Sequence, residues 1–148
     1  MWSGAAVLIG LLATAAASPP PEPTVPPNLK CPAGGPVLPT AEMVLPVRVR
    51  KVDPVRPQSL VDDPKLSGMV ILQAVVDING DAGAVSRLSC RAERDGYELS
   101  EKKKDPICQD LYRAGEEALA QWKYQSAFAD GMPVCVFYTV RMDFRAKH

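Results

Sequence analysis

The sequence predicts an α+β fold: a small three-stranded antiparallel sheet, in the order second, first, third, with a crossover helix on one face. Three observations predict it. A β-branched run ending in Asn-Gly indicates a hairpin over 69–90, an amphipathic stretch after Asp105 indicates a helix, and strict apolar alternation over 132–144 indicates a last strand. In this order the last strand lies at an edge of the sheet.

The predicted hairpin joins two apolar strands. Met69 to Ile78 is a run of β-branched and aliphatic residues, with Leu72 expected in the core, and Asn79-Gly80 follows as the strongest short-range turn signal. Ala84 to Cys90 provides the second strand. The charge-rich stretch from Arg91 to Lys104 then has the composition of a solvated loop.

A helix is predicted directly after this loop. Asp105 can cap it, and Pro106 suits the first turn, where a missing N–H removes no intrahelical hydrogen bond. Apolar residues spaced by three or four, from Leu111 to Trp122, form one stripe, while the polar residues between them face outward. Trp122 and Tyr124 are therefore expected to anchor the core.

The last predicted strand follows a turn at 129–131 and has two unlike faces. One face mixes polar and apolar residues and is expected to meet solvent, whereas the other is apolar throughout and is expected to cover the core. The apolar face consists of Met132, Val134, Val136, Tyr138, Val140, Met142 and Phe144.

The charge balance and the histidine content exclude several classes of function. Seventeen Lys and Arg residues balance seventeen Asp and Glu residues, so no strong field attracts nucleic acid. The one histidine is His148, and an enzyme based on a reactive cysteine thiolate would have no internal histidine to activate it. We therefore expect no enzymatic activity, no cofactor, no metal site and no nucleic-acid partner.

The first 52 residues divide into two segments before the domain. Residues 1–17 form an uncharged, apolar run with small residues before its end, which is typical of a signal peptide, and a short uncleaved anchor is the alternative. Residues 18–52 form a proline-rich linker or arm, in which Val47 to Val52 alternates like a short edge strand. The folded domain is then expected over 53–148.

The cysteines of this chain are expected to form disulfide bonds. A chain carrying a signal peptide reaches an oxidising compartment outside the cytoplasm, where thiols pair. None of the four cysteines has the close spacing of a redox or zinc motif, and four cysteines allow three full pairings. The candidates are Cys31, Cys90, Cys108 and Cys135.

Four short motifs follow one another within residues 53–145: GMVILQAVVDING, ALAQWKY, GMPV and VRMDF. With these motifs, residues 53–145 resemble the TonB C-terminal domain family. The sequence GMVILQAVVDING (68–80) is similar to the family's first strand and turn, and ALAQWKY (118–124) to its helix ending in Trp-x-aromatic. GMPV (131–134) is similar to its Gly-x-Pro-Val motif, and VRMDF (140–144) to its closing strand. The order and spacing of these motifs carry the resemblance, and the apolar segment and proline-rich arm suit the family's usual layout.

The chain also departs from the family's pattern. Arg56-Pro57 stands where the family usually has Tyr-Pro, a position associated with receptor contact. The stretch from Arg91 to Lys104 is longer than the usual connection and is bracketed by Cys90 and Cys108. A disulfide between these two would staple the insertion to the helix start, and Cys31 with Cys135 would then fasten the arm to the last strand.

The resemblance implies a periplasmic protein-binding domain linked to TonB-dependent transport. Such a domain binds an extended segment of an outer-membrane receptor or envelope protein by strand addition, in which an edge strand supplies unpaired N–H and C=O groups. The implied docking edge comprises Val134 to Met142, with Arg56 and Pro57 beside it. Since residues 1–17 have neither the length nor the histidine of the family's membrane helix, we expect no proton-driven motor coupling.

Two alternatives stay open for partner and location. The domain could instead be a disulfide-stapled structural module of the envelope that self-associates as a homodimer through its sheet edge, without transducing energy. The arm near 47–52, or a Cys31 bond, could cover that edge. If the N-terminus is not cleaved, the protein would face the periplasm from the inner membrane, and membrane contact would be limited to that segment.

Overall fold

The structure, a computed structural model, describes residues 10, 29–100 and 105–146. The segment interpreted as a signal peptide, apart from Gly10, and residues 18–28 of the arm lie outside the described residues. Within the described ranges, no helix combines the length and the apolar character that crossing a membrane requires.

The described residues form an α+β fold with mostly antiparallel strands and two helices, as the sequence predicts at that level. The elements in chain order are β1 (Val47–Arg50), α1 (Gln58–Asp62), β2 (Leu66–Val76), β3 (Ala82–Arg94), β4 (Tyr97–Ser100), α2 (Pro106–Leu119), β5 (Lys123–Gln125), β6 (Ala127–Ala129), β7 (Met132–Val134) and β8 (Val136–Phe144).

The main sheet has four strands, in the order β4-β3-β2-β8, and all of its pairs are antiparallel. The three predicted strands are neighbours in the predicted order, but the prediction of a three-stranded sheet is wrong. Part of the stretch predicted as a solvated loop extends β3 and forms β4. Asp95 and Gly96, with φ of 51° and 81°, join these two strands in a tight turn.

The β2–β3 turn is organised by a buried carboxylate. Asp77 is fully buried, and its Oδ1 accepts the backbone N–H groups of Asn79 and Asp81, both at 2.9 Å. Gly80 in this turn has a φ of 81°, and an added Cβ would lie 1.8 Å from the carbonyl oxygen of Tyr124. The turn therefore requires an acceptor at 77 and a glycine at 80, and it spans more residues than the predicted Asn-Gly pair.

Helix α2 begins and packs as the sequence predicts. The side chain of Asp105 accepts the N–H of Ile107 at 3.0 Å, and Pro106 opens the helix. The helix lies close to the sheet because Gly68 has no side chain: a Cβ there would lie 2.6 Å from both the carbonyl oxygen of Arg91 and a methyl carbon of Leu111. The core between helix and sheet includes Val70, Leu72, Leu111, Tyr112, Leu119, Val136 and Met142.

Two disulfide bonds join Cys90 to Cys108 and Cys31 to Cys135. The first links β3 to the beginning of α2, and the second links the arm to the residue before β8. Both pairings are those expected from the comparison of the long 91–104 stretch with the TonB family. They are typical of proteins in an oxidising compartment outside the cytoplasm.

The described part of the arm, residues 29–52, lies against the domain. Leu29 is 7% exposed and packs with Val75 and Cys135 on the sheet face opposite α2. Val37 pairs beside the start of β8, and Val44 exchanges two backbone hydrogen bonds with a residue of β6. Strand β1 then pairs with β5, so the segment 47–50 does not cover the edge of β8.

The last predicted strand is divided in two. β7 pairs with β6 through a turn at Asp130-Gly131, whereas β8 pairs with β2 over all of its nine residues. Cys135 lies between the two strands, where the chain changes partner. Val134 and Met132 therefore belong to a separate two-stranded sheet and not to the edge strand.

Candidate functional site

The candidate site is the outer edge of β8. The strand ends the main sheet, and within the described ranges no further strand pairs with it beyond the single bridge from Val37 to Val136. In that bridge the N–H of Phe137 donates to the Val37 carbonyl and the carbonyl of Cys135 accepts the Val37 N–H, both at 3.0 Å. The odd-numbered residues of this part of the chain therefore direct their N–H and C=O groups away from β2. Because strands alternate, the N–H and C=O groups of the later odd residues also face outward. These residues are Thr139, Arg141 and Asp143.

The predicted docking residues on β8 contribute their side chains to the core side instead. Val136, Val140 and Met142 are buried at 0%, 7% and 4% exposure, and Tyr138 packs against the same core. The alternation in the sequence finds this inward face correctly. It does not reveal which residues direct N–H and C=O groups to the edge, because that depends on the register with β2.

Arg56 and Pro57 lie next to the far end of the edge. Pro57 precedes α1, and the Arg56 guanidinium donates to three carbonyls: Leu60 at 3.2 and 3.3 Å, Leu66 at 3.3 Å and Arg145 at 2.6 Å. Arg56 thus joins α1, the start of β2 and the residue after β8. At this position, which the resemblance associates with receptor contact, the side chain is occupied by internal contacts.

An open cleft of about 760 Å³ lies on the sheet face beside β8. Four of its charged residues are paired: Arg91 contacts Glu93 at 3.0 Å, and the Arg141 guanidinium donates to Asp143 at 2.9 and 3.1 Å, while Arg145 also lines the cleft. With three cations and two anions at an exposed surface, the cleft has no strong field of one sign. This surface suits a polypeptide strand better than a small ion.

The residues predicted to anchor the core are buried. Leu72, Trp122 and Tyr124 are 0%, 2% and 5% exposed. The indole Nε1 of Trp122 donates to the Val52 carbonyl at 2.7 Å, and the Arg48 guanidinium lies 4.7 Å from its ring centre. Trp122, which lies beyond the end of α2 and not on the helix as predicted, therefore fastens the end of the arm to the domain, a contact that the predicted helical spacing does not reveal.

Burial, with a smaller contribution from the neighbouring Tyr138, raises the pKa of Tyr124 to about 12, whereas Arg48 acts in the opposite direction. In the described part of the chain, the Tyr124 hydroxyl has no hydrogen-bond partner. A tyrosine whose pKa is higher in the folded state than in the unfolded chain favours folding below its unfolded pKa and stops favouring it as pH rises through the folded value.

We therefore expect the free energy of unfolding to fall by about 1 to 2 kcal/mol between pH 10 and pH 12 through Tyr124, since screening by solvent reduces the effect of the shift. Denaturant unfolding at several pH values, with ultraviolet titration of phenolate, measures this. Tyr124→Phe is the control, and its free energy of unfolding should fall less over the same pH range. An equal loss in this variant would contradict the assignment to Tyr124.

In the residues that the structure describes, no three His, Cys, Asp or Glu side chains are placed to hold a metal ion together. No protein-family model matches this chain, and none of the curated proteins is similar enough to match it. The function is therefore inferred from the residues and from the geometry of the edge.

Proposed function

We propose that this chain is a TonB-C-terminal-like protein-binding domain of the periplasm, linked to TonB-dependent transport. It binds an extended segment of an outer-membrane receptor or another envelope protein by adding that segment as a strand. The observation that carries the proposal is the exposed edge of β8, which presents outward N–H and C=O groups from Thr139 to Asp143.

The arrangement of elements supports the TonB-like interpretation. The hairpin of β2 and β3 is followed by α2, and β8 returns beside β2, which makes β8 an edge strand. Gly68, Asp77 and Gly80, within the motif that resembles the family, have physical roles in helix packing and in the turn. The resemblance thus coincides with residues on which this fold depends.

The disulfides and the open edge support the compartment and the mode of binding. Disulfide bonds persist where the surroundings are oxidising, and the periplasm is such a compartment. A partner strand would gain main-chain hydrogen bonds with little demand on its side chains. This mode suits a domain whose binding surface has balanced charges, as at Arg141 and Asp143.

The side chains along the edge predict the pattern of a suitable partner. A strand added to β8 places alternate side chains on the open face, beside Thr139, Arg141 and Asp143, and the others on the side of α2. A glutamate opposite Arg141 and a lysine opposite Asp143 would form favourable cross-strand pairs. Valine suits the positions between them, next to the apolar face of β8.

The test is binding of synthetic peptides to the oxidised chain, followed by backbone amide shifts. We would use Lys-Val-Glu-Val-Thr and its reverse, blocked at both ends, which cover antiparallel and parallel addition. We expect shifts at 139–143. Arg141→Pro removes an outward N–H and should weaken binding about tenfold, close to the loss of one backbone hydrogen bond.

Arg141→Ala is the matched control, since it removes the side chain but keeps the N–H. Equal binding by Arg141→Pro and Arg141→Ala would contradict pairing through the backbone of β8. Failure of both peptides to shift any amide would contradict the proposed function. Together with a mass that rises with protein concentration, such a failure would favour a self-associating structural module.

A further inference from the structure

The arm occupies the first pairing position on the docking edge. Val37 donates its N–H to the carbonyl of Cys135, and its carbonyl accepts the N–H of Phe137, both at 3.0 Å. Val136 thus has Val76 on one side and Val37, running parallel, on the other. These are the contacts that a bound strand would make at this position.

Three contacts fix the arm just before this position. Cys31 is bonded to Cys135, and the backbone N–H of Lys30 donates to the second carboxylate oxygen of Asp77 at 3.0 Å. Leu29 is buried against the sheet. Because the tether is covalent and close to the edge, a partner strand cannot easily displace Val37.

The pairing of the arm with β8 ends after one bridge because the arm lacks the next N–H donor. In a parallel ladder, the next hydrogen bond would run from the N–H of residue 39 to the carbonyl of Phe137. Residue 39 is proline, which has no N–H to donate. The edge therefore becomes available from the Phe137 carbonyl onward.

We infer that the arm is a register stop, which limits a partner strand to the edge from the Phe137 carbonyl to Asp143. This inference rests on the proposed function. The partner is a short extended segment of about seven residues, opposite 137–143, since longer strands gain no further backbone hydrogen bonds at the end near Val37. The stop thereby selects the length and the register of the partner.

The experiment compares peptides of two lengths on the full, oxidised chain. The five-residue peptide that binds better is first lengthened by two valines so that it reaches the Phe137 carbonyl, and this seven-residue reference peptide is then extended by two further valines past Phe137. With the natural chain, the extension should change the dissociation constant by less than about twofold. In Val37→Pro, which removes the N–H donor to the Cys135 carbonyl, the extension should strengthen binding about tenfold, as expected for one added hydrogen bond at that carbonyl.

Val37→Ala is the matched control, because it keeps the backbone donor and should behave like the natural chain. Hydrogen exchange of the Phe137 amide without peptide is a second measurement: because this amide donates to the Val37 carbonyl, it should be protected in the natural chain and in Val37→Ala. A natural chain whose Phe137 amide exchanges as fast as that of Thr139 would overturn the inference.

Two peptide results separate this inference from the proposed function. If both peptides bind the natural chain and the longer one binds about tenfold tighter, strand addition stands and the register stop is wrong. If neither peptide binds any variant, the proposed function fails, and the role of Val37 as a stop for a partner fails with it.

Discussion

Replacing Cys31 and Cys135 together by alanine should lower the free energy of unfolding by about 4 to 5 kcal/mol. The bond closes a loop with a sequence separation of 104 residues, and the chain-entropy model gives about that stabilisation for a loop of this size. Guanidinium chloride unfolding without reductant measures the loss. We expect a lower transition midpoint with the other disulfide intact.

The loss of the other disulfide, in a variant with both Cys90 and Cys108 replaced by alanine, is the internal comparison. This bond spans 18 residues, for which the same model gives about 3 kcal/mol. The pair of variants therefore tests loop length as the source of stabilisation. A larger loss from the short loop than from the long one would show that local packing, and not the constraint on the unfolded chain, dominates.

Asp77→Ala should lower the free energy of unfolding by about 3 kcal/mol. The buried carboxylate accepts three backbone N–H groups, from Lys30, Asn79 and Asp81, and alanine leaves these donors without their acceptor. Hydrogen bonds to a charged group contribute about 1.5 to 3 kcal/mol each, and water can reach some of the freed donors. Denaturant unfolding and amide exchange measure the effect.

Asp77→Asn separates the two roles of this side chain, which are to hold the β2–β3 turn and to hold the arm at Lys30. Its amide oxygen can still accept the N–H groups of Asn79 and Asp81, whereas its NH₂ group would face the N–H of Lys30. We expect a loss of about 1 to 2 kcal/mol, with faster amide exchange concentrated in the arm. A loss below about 1 kcal/mol in Asp77→Ala would contradict the role assigned to this carboxylate.

Local signals in the sequence predict the part of the fold that depends on neighbouring residues. The cap at Asp105, the apolar run before Asn79-Gly80 and the alternation over 136–144 each give an element of the right type. These elements follow from capping, turn preference and side-chain periodicity, which act within a few residues. Their chain order then restricts how the main sheet can be assembled.

Strand β4 was missed although the sequence contains a signal for it. Asp95-Gly96 is a strong hairpin dipeptide, but the charges on either side of it favour a solvated loop. Arg91 and Glu98 form an ion pair across the two strands at 3.3 Å, so these charges accompany the strand pairing. At this position the Asp95-Gly96 turn signal predicts the structure better than the charged composition does.

The path of the arm and the outward groups of β8 could not be predicted from local patterns. Prolines predict an extended segment, but the contact of Val37 with Val136 joins residues far apart in the sequence. The Arg56 guanidinium likewise donates to the carbonyl of Arg145, a contact that the local sequence around Arg56 does not indicate. The register of β8 against β2, which decides that Arg141 faces outward, depends on the assembled sheet.

The bond between Cys31 and Cys135 also determines how the molecule carries mechanical load. Tension applied at Leu29 and Lys30 reaches Cys135, the residue before β8, through the disulfide bond from Cys31. The residues between the two cysteines, including the β2–β3 hairpin and α2, are bypassed by this path. Pulling the arm against a strand held on β8 would therefore shear the strand pairing before it unfolded the domain.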